Sequence, residues 1–459
     1  MNTSFCIIRQ KGRACYNCNM YKMTCPAFIL EALNILNQHH FQAFLVGGCV
    51  RDQLLGIEPK DYDITTNARP EEIEALFEET IPTGKKHGTI TVLLQEPIEI
   101  TTYRTESDYK DHRHPNQVYF VDELEQDLAR RDFTINAMAY HPNVGLVDPF
   151  GGKKDLKEGI IRTVGNPYKR FSEDALRMFR AHRFAARFHF RIEENTALAI
   201  QACSSSISCV SSERVRSELL EILQTNPYQI EKMTQLLSHW MPELELCRTC
   251  EQTTPYHDTN VLHHILRACA LLKPYDETCM YALFFHDLAK PACKTTSDGA
   301  DHFRGHPVLG QEIAKRLCED FKLTKQQQKE IPLLVRYHDE KMNDPYQFIE
   351  KLCLKEGMDD AWMQKLFRVK YCDIMAHSSY GQQTIQVLNH QIEVYEECKR
   401  NRPFALKDLN ISGKDLLNYP KIRKEQIKGI LKEILLMCFR NPEKNQREEL
   451  LEYIQCKYS

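Results

Sequence analysis

Val46-Gly47-Gly48-Cys49-Val50-Arg51-Asp52, with Asp61-Tyr62-Asp63-Ile64 starting ten residues beyond Arg51, is the stretch on which the reading of this chain turns. The apolar run Ala43 to Val46 reads as a strand. The glycine pair behind it reads as a turn whose backbone N–H groups are free to approach a phosphate, with an arginine beside them. Such turns are more often structural than functional, so the pair carries little alone. In a strand the side chains at i and i+2 point to the same face, which brings Asp61 and Asp63 together. Like charges so placed repel unless a divalent cation neutralises them, and Mg²⁺ held by carboxylates and substrate phosphates is the common solution. An isolated Asp-x-Asp is usually a solvated turn; behind a phosphate turn at this distance it reads as a metal-binding pair.

Upstream, a helical pattern from Pro26 (Phe28, Leu30, Leu33, Leu36) leads into the first strand. Downstream, Thr89 to Leu94 and Ile98 to Tyr103 are β-branched runs bounded by Gly or Pro and read as further strands. After Val164 the pattern is helical almost without interruption from Ser172 to the end, with breaks near Asn226-Pro227, Thr253 to Pro255, Ser297 to Gly299 and Arg402-Pro403. There is no internal repeat and no low-complexity tract. Residues 1 to 25 differ from the rest: Cys6, Cys15, Cys18 and Cys25 stand among too few apolar residues for a core. Cys15-x-x-Cys18 is either half of a zinc site, though no second such pair has matching spacing, or part of a loose extension; Met20 or Met23 is an alternative start.

At 459 residues the chain predicts two to four domains, and 42% hydrophobic with 27% charged residues allows an ordinary core. No apolar stretch reaches the roughly 18 residues that a bilayer span needs, and the start lacks a signal-peptide core, so no membrane association and a cytoplasmic location are expected. The 18 cysteines are scattered, which predicts reduced and buried thiols rather than disulfides. A net charge of -3 gives no global attraction to nucleic acid.

With those residues in view, the chain resembles the nucleotidyltransferases of the DNA polymerase beta superfamily, and within them the bacterial class II tRNA nucleotidyltransferase (CCA-adding) and poly(A) polymerase family. Five further blocks look like that family's motifs: Gly84-Lys85-Lys86-His87-Gly88-Thr89, Glu99-Ile100-Thr101-Thr102-Tyr103-Arg104, Tyr109-Lys110-Asp111-His112-Arg113-His114-Pro115, Arg130-Arg131-Asp132 through Ala139, and Glu173-Asp174-Ala175-Leu176-Arg177 through Phe184. The resemblance is nearly continuous from Phe44 to Phe190. It implies that Gly47, Gly48 and Arg51 bind the incoming nucleotide and that Arg131, Asp174, Arg177, Arg180 and Arg183 complete its pocket. Asp61 and Asp63 would be the catalytic Mg²⁺ ligands, with Glu99 as a third metal carboxylate. The implied chemistry is two-metal phosphoryl transfer: one ion activates the terminal 3′-hydroxyl of the tRNA, and the other stabilises the leaving pyrophosphate.

Read as one helix, the last block puts Asp174 and Arg177 at i and i+3, with Arg180 and Arg183 continuing the row. Most such pairs are surface ion pairs worth little. Base edges supply a functional reading. Cytosine and adenine each show an exocyclic amine beside a ring acceptor, whereas uracil and guanine show a carbonyl beside a ring N–H. An aspartate only accepts and an arginine only donates, so one such pair holds C or A and leaves unmet contacts with U or G. The resemblance implies this use: an amino-acid template for CTP and ATP.

The stretch from Asn260 carries His264, His286-Asp287, His306, His338 and Asp373. Histidine and aspartate converging from separate helices is how bundles build metal sites. This set resembles the HD phosphohydrolase domain, which implies a transition-metal site on His264 (or its neighbour His263), His286, Asp287 and Asp373. Residues 401 to 459 hold 12 Lys or Arg against 8 Asp or Glu, which suits a phosphate backbone, and Lys421 to Lys424 and Arg440-Asn441-Pro442 resemble the family's tail that holds the tRNA elbow. The alternative there is a solvated helical face.

The expected fold is therefore α+β, an N-terminal mixed α/β head followed by an extended all-α neck, HD-like body and tail. Its boundaries fall at 1–25 (extension), 26–160 (catalytic head), 161–250 (neck with the nucleotide-selecting motif), 251–385 (HD-type metal domain) and 386–459 (tRNA-binding tail). The implied partners are the tRNA 3′ end and elbow, ATP and CTP, with no obligate protein partner. Poly(A) polymerase shares the core but typically has an arginine-rich strand where this chain has Gly84 to Thr89. The Tyr109 to Pro115 block, in a loop that CC-only enzymes shorten, argues against CC-only addition and leaves A-only addition open. A metal phosphohydrolase with an inactive head is the alternative from a different class.

Overall fold

The computed structural model describes residues 23–106, 118–340 and 344–458. The chain divides into two compact units at Glu218/Leu219. The expected extension up to Lys22, with Cys6, Cys15 and Cys18, lies outside the described residues, and so does the Tyr109 to Pro115 block. Met23 is already buried, and its backbone N–H donates to Tyr140 Oη at 3.2 Å, so the chain joins the first unit ahead of Pro26.

Proline, disfavoured inside a helix but suited to its entry, stands as N-cap before α1 (Ala27–Gln38). This helix buries Phe28, Ile29, Ala32, Leu33 and Leu36, while Leu30, expected on the apolar face, is exposed. Strand β1 (Ala43–Val46) then enters the sheet, the chain turns at Gly47, and α2 (Gly48–Leu54) leads to β2 (Asp63–Thr66). Helix α3 (Pro70–Leu76) precedes β3 (Thr80–Gly84), β4 (Thr89–Leu93) and β5 (Pro97–Thr102), the last two within a residue of the runs read from β-branching. After the ribbon β6 (Arg104–Glu106) and β7 (Val118–Phe120) come α4 (Leu124–Ala129), β8 (Ala139–His141) and β9 (Gly145–Val147). The sheet order is β3-β4-β5-β2-β1-β8-β9. It is mixed: β1 runs antiparallel to both β2 and β8, while β2 and β5 are parallel.

This register positions the site. Val46 at the end of β1 pairs with Asp63 at the start of β2, so the Gly47 turn emerges beside Asp63, and Asp63 in turn pairs with Glu99 on β5. Asp61 is not in the strand: β2 begins at Asp63, and Asp61 is exposed two residues ahead of it, so the alternation argued from a continuous strand covers only one of the two carboxylates.

The first unit continues with α5 (Gly152–Glu158), α6 (Pro167–Glu173), α7 (Leu176–Phe188) and α8 (Glu194–Cys203), and α9 (Ser212–Thr225) runs across the division. The expectation of a purely helical remainder needs correcting in two places. Strand β10 (Ile160–Ile161) pairs parallel with β11 (Arg191–Ile192), and β12 (Thr295–Ser297) pairs with β13 (Ala300–His302) across Asp298-Gly299, where the sequence showed only a break. Each is two or three residues long, too short for a period-2 pattern.

The second unit contains α10 (Thr234–Leu237), α11 (Glu243–Thr249), α12 (Val261–Ala270), α13 (Glu277–Phe285), α14 (Lys290–Cys293), α15 (His306–Asp320), α16 (Lys325–Tyr337), α17 (Pro345–Ile349) and α18 (Asp360–Ala376). Helix α13 buries eight consecutive residues from Thr278 to Phe285 and is the centre of this bundle. Gly310 lets α15 pass close to it: a Cβ there would stand 3.2 Å from Val335 Cγ1 and 3.4 Å from the His286 carbonyl. Helices Lys424–Arg440 and Arg447–Tyr458 close a separate small core around Ile434, Cys438, Leu450 and Ile454. The described cysteines are all free thiols, and no helix among the described residues is long and apolar enough to cross a membrane.

Candidate active site

In the first unit the Gly47 turn, Asp63, Arg131, Asp132, Asp174 and the arginines of α7 line one cleft of about 620 Å³. Gly47 has φ +73°, and a Cβ there would lie 3.1 Å from Arg131 Nη1 and 3.9 Å from Asp63 Oδ2. The glycine is thus required both by its backbone angle and by the close approach of the arginine. Burial raises Asp63 above the ordinary carboxylate range against the pull of Arg131, and Glu99 and Asp61 push it the same way. A half-buried carboxylate repelled by two others fits a hard divalent cation with oxygen ligands. Asp61, Asp63 and Glu99 are not among the described groups whose ligand atoms all lie within 4.8 Å of one another; those groups are all in the second unit.

Arg51 is held rather than free. Its Nη1 donates to Asn136 Oδ1 at 2.6 Å, its Nε donates to Asp52 Oδ1 at 2.8 Å, and its guanidinium lies over the Phe184 and Phe188 rings at 5.1 and 4.9 Å. Asp52 also pairs with Arg187 at 3.4 Å. Arg131 is steered by Asp127, which is fully buried and also accepts from Thr65 Oγ1, the Arg104 backbone and Arg130 Nε. Arg131 Nε is buried without a partner.

Asp174 corrects the one-helix reading. Helix α6 ends at Glu173, Asp174 is its C-cap in extended conformation (φ −141°, ψ 105°), and α7 starts only at Leu176. Asp174 and Arg177 are therefore not paired at i and i+3. Asp174 Oδ2 accepts from Arg214 Nη2 at 2.9 Å, and Arg177 Nη1 donates to Glu173 at 2.6 Å. Arg180 holds Asp132 through two hydrogen bonds of 2.9 and 2.7 Å, and Arg183 holds Glu218 at 2.5 Å. Although burial opposes its ionisation, Arg180 and the Asn136 amide hold Asp132 down to about 2. Each residue expected to select the base thus carries a counter-charge whose pairing the sequence reading did not give: Arg214, Glu173, Asp132 and Glu218. Arg214 and Glu218 lie far along the chain, with nothing local to mark them. Asp127 did leave a signal, standing at i−3 and i−4 to Arg130 and Arg131.

In the second unit His264 on α12, His286-Asp287 after α13 and Asp373 on α18 converge. His264 Nε2 is 2.9 Å from Asp373 Oδ1, and His286 Nε2 is 3.2 Å from Asp287 Oδ2 and 3.5 Å from Asp373 Oδ1. His264 is fully buried; the alternative, His263, faces away and pairs with Glu231 at 2.7 Å. His306, the first residue of α15, and His338, just past α16, reach the same carboxylate, Asp287 Oδ1, at 3.3 and 3.6 Å. The sequence reading missed His257, His377 and Lys290. Lys290 Nζ stands 2.7 Å from Asp287 Oδ2, and His377 Nε2 stands 3.6 Å from Asp373 Oδ1. His377 was readable at i+4 from Asp373 and Lys290 at i+3 from Asp287; His257, in a loop, was not. Burial pushes His264 down to about 4, whereas His286, equally buried, is raised to about 10 by Asp287 and Asp373. Both Asp287 oxygens are buried without a hydrogen-bond partner of acceptable geometry, Lys290 being in ion-pair range only. A buried carboxylate so left, ringed by imidazoles, fits a metal with mixed nitrogen and oxygen ligands.

Fold and cleft together define a nucleotidyltransferase: a mixed sheet presenting a glycine turn beside an acidic strand end, followed by a helix of arginines. Residues 43–162 match the family described as "Poly A polymerase head domain", residues 189–247 that described as "Probable RNA and SrmB- binding site of polymerase A", and residues 256–364 the "HD domain". The chain is 33% identical over 423 residues to a CCA-adding enzyme of Staphylococcus epidermidis, an alignment covering 90% of this chain and 94% of that protein. With a CCA-adding enzyme of Staphylococcus saprophyticus it is 48% identical over 210 residues, spanning 46% of this chain and about half, 52%, of that relative. The crystal structure of the Bacillus stearothermophilus CCA-adding enzyme in complex with CTP superposes with a TM-score of 0.67 at 26% identity, covering 95% of this chain and 98% of that one. The chain belongs to the CCA-adding enzyme family.

Proposed function

We propose that this chain adds CMP, CMP and AMP to the 3′ end of tRNA without a nucleic-acid template, taking CTP and ATP as substrates in the cytoplasm. The observation that carries the reading is the single cleft in which the Gly47 turn and Asp63 stand at one side and Asp174, Arg177, Arg180 and Arg183 at the other. In this reading Gly47, Gly48, Arg51 and Arg131 receive the triphosphate, and Asp174 and Arg177 receive the base edge after giving up Arg214 and Glu173. Mg²⁺ held on Asp61, Asp63 and Glu99 would supply the charge that the attacking 3′-hydroxyl and the leaving pyrophosphate require. Arg180 and Arg183, held by Asp132 and Glu218, keep the pocket's shape and positive field. The tail would bind the tRNA elbow. The family membership and the likeness to the CTP-bound bacterial structure support this assignment.

The test is addition to tRNA transcripts lacking the terminal CCA, and to others already ending in CC, with each labelled nucleotide. Sequential C, C and A is expected. Addition of A alone, or of long A tails, would replace the reading with an A-only enzyme or a poly(A) polymerase.

For the second unit we propose one transition-metal ion on His264, His286, Asp287 and Asp373, supported by the convergence of those four side chains and the buried Asp287 carboxylate at their centre.

A further inference from the structure

Asp127, near the end of α4, is wholly out of solvent and does not line the cleft. Its Oδ2 accepts from Thr65 Oγ1 at 3.2 Å and from Arg131 Nη2 at 3.4 Å, while its Oδ1 accepts from Arg130 Nε at 2.9 Å and from the Arg104 backbone N–H at 3.3 Å. Thr65 stands two residues past Asp63 on β2, and Arg104 follows directly on β5, the strand of Glu99. One carboxylate thus ties α4 to the two strands that carry Asp63 and Glu99. Burial opposes its ionisation, but Arg130 and Arg131 outweigh that and hold it below the ordinary carboxylate range.

Arg131 stands between two carboxylates. Its Nη2 reaches back to Asp127, and its Nη1 lies 3.1 Å from the point where a Gly47 Cβ would sit, with Asp63 Oδ2 3.9 Å from that same point. Among the described residues its ion pair is with Asp127 and not with Asp63. Its Nε is buried with no acceptor, so the side chain is not in the pose that would satisfy its own donors best. A guanidinium let go by Asp127 has Asp63 as the next carboxylate within reach. A pair formed there would be strong and would cover the oxygens that a divalent cation needs.

We propose that Asp127 is a positioning residue for nucleotide addition: by competing with Asp63 for Arg131, it holds the guanidinium over the Gly47 turn and leaves the Asp63 carboxylate free for the cation. The proposal rests on the reading that Asp63 holds Mg²⁺ and Arg131 receives the triphosphate. The alternative is that Asp127 only fastens α4 to the sheet.

The test compares the full chain with Asp127→Asn, Arg131→Gln and the double variant. Three quantities are read: KM for CTP on tRNA lacking CCA, the Mg²⁺ concentration giving half-maximal addition, and the melting curve. Asp127→Asn keeps the shape and loses the charge, so the KM and the Mg²⁺ midpoint are each expected to rise roughly tenfold, since Mg²⁺ then has to displace a guanidinium from Asp63. Arg131→Gln is expected to raise the KM as well, but with the competitor gone its Mg²⁺ midpoint stays at the parent's value or below. The double variant is expected to return to the Arg131→Gln midpoint. A midpoint raised by the same factor with and without Arg131, or a lower melting temperature with the midpoint unchanged, would overturn the proposal and leave the fastening role. Thr65→Val keeps the carboxylate and leaves Oδ2 to Arg131, so its midpoint is expected at or below the parent's; a rise there would overturn the proposal even where Asp127→Asn does not fold. No addition by the parent, or an unchanged KM for CTP in Arg131→Gln, would instead remove the reading on which the proposal rests, and the proposal with it.

Discussion

Replacing Asp174 with alanine removes the one carboxylate that the base-edge reading assigns to the amine shared by cytosine and adenine. The structure lets its two consequences be separated. On stability, Asp174 pairs with Arg214 at 2.9 Å, with side chains 17% and 26% exposed, and accepts from the Leu176 backbone at 3.1 Å. A partly exposed ion pair and one partly exposed backbone hydrogen bond to the same carboxylate together cost about 1–3 kcal/mol, a melting shift of a few degrees. On function, loss of one charge-assisted hydrogen bond of about 1.5–3 kcal/mol lowers kcat/KM roughly ten- to a hundredfold, equally for CTP and ATP. UTP and GTP present a carbonyl at that point, so removing the charge relieves a repulsion and raises their relative incorporation. Arg177 still faces their ring N–H, so they remain poorer than C or A. The assay is kcat/KM for all four nucleotides, on tRNA lacking CCA and on tRNA ending in CC, beside the melting curve. A lower melting temperature with the C, A, U and G ranking unchanged would refute the base-edge role and leave Asp174 as the anchor of Arg214 alone.

Asp63→Ala and Asp61→Ala are each expected to abolish addition at saturating Mg²⁺, with the melting curve unchanged for the exposed Asp61; near-normal addition by either would end the metal assignment. Gly47→Ala forces a side chain onto φ +73° and to within 3.1 Å of Arg131 Nη1; a stability loss of about 1–3 kcal/mol with reduced addition is expected, and an unperturbed enzyme would show that the turn is not read by fit. Asp132→Asn tests linkage. A carboxyl lowered from its ordinary 3.8 to about 2 stabilises the fold fully above pH 3.8 and loses that contribution as pH falls through 2. The variant is therefore expected to be about 2 kcal/mol less stable at neutral pH, with the difference shrinking below pH 4; a gap constant with pH would contradict this. His286→Ala with Asp287→Ala is expected to strip bound transition metal while sparing CCA addition, checked by metal content and tRNA extension on one preparation.

The parts of the fold legible in the sequence were those with local causes. Pro26 opening a helix, the β-branched runs from Thr89 and Ile98, and the glycine turn each declare themselves within a few residues. The parts that were not legible depend on partners far along the chain. Nothing near Asp174 reveals that Glu173 ends one helix and Leu176 begins another, because the break is imposed by packing and not by a proline or glycine. The same is true of Leu30, whose spacing fits the apolar face as well as that of Ile29. In the head the carboxylate and arginine positions could be named, but not their mutual pairing, since side chains from α6, α7 and α9 meet only in three dimensions. In the helical unit the four named ligands converge, yet the division of Asp287 between two histidine pairs depends on which oxygen faces which helix.

The clamp on Arg51 sets a length. Its hydrogen bond to Asn136 and its place over Phe184 and Phe188, with Asp52 tied to Arg187, fasten the Gly47 turn to the helix that carries Arg177, Arg180 and Arg183. On the proposed reading, a nucleotide gripped by its phosphates at one end and its base edge at the other would be measured against a fixed ruler. A purine's Watson–Crick edge lies farther from its ribose than a pyrimidine's. If the clamp holds during addition, accepting C at one step and A at another would come from a tilt of the nucleotide or a shift of the RNA end, and not from parting the turn and the helix.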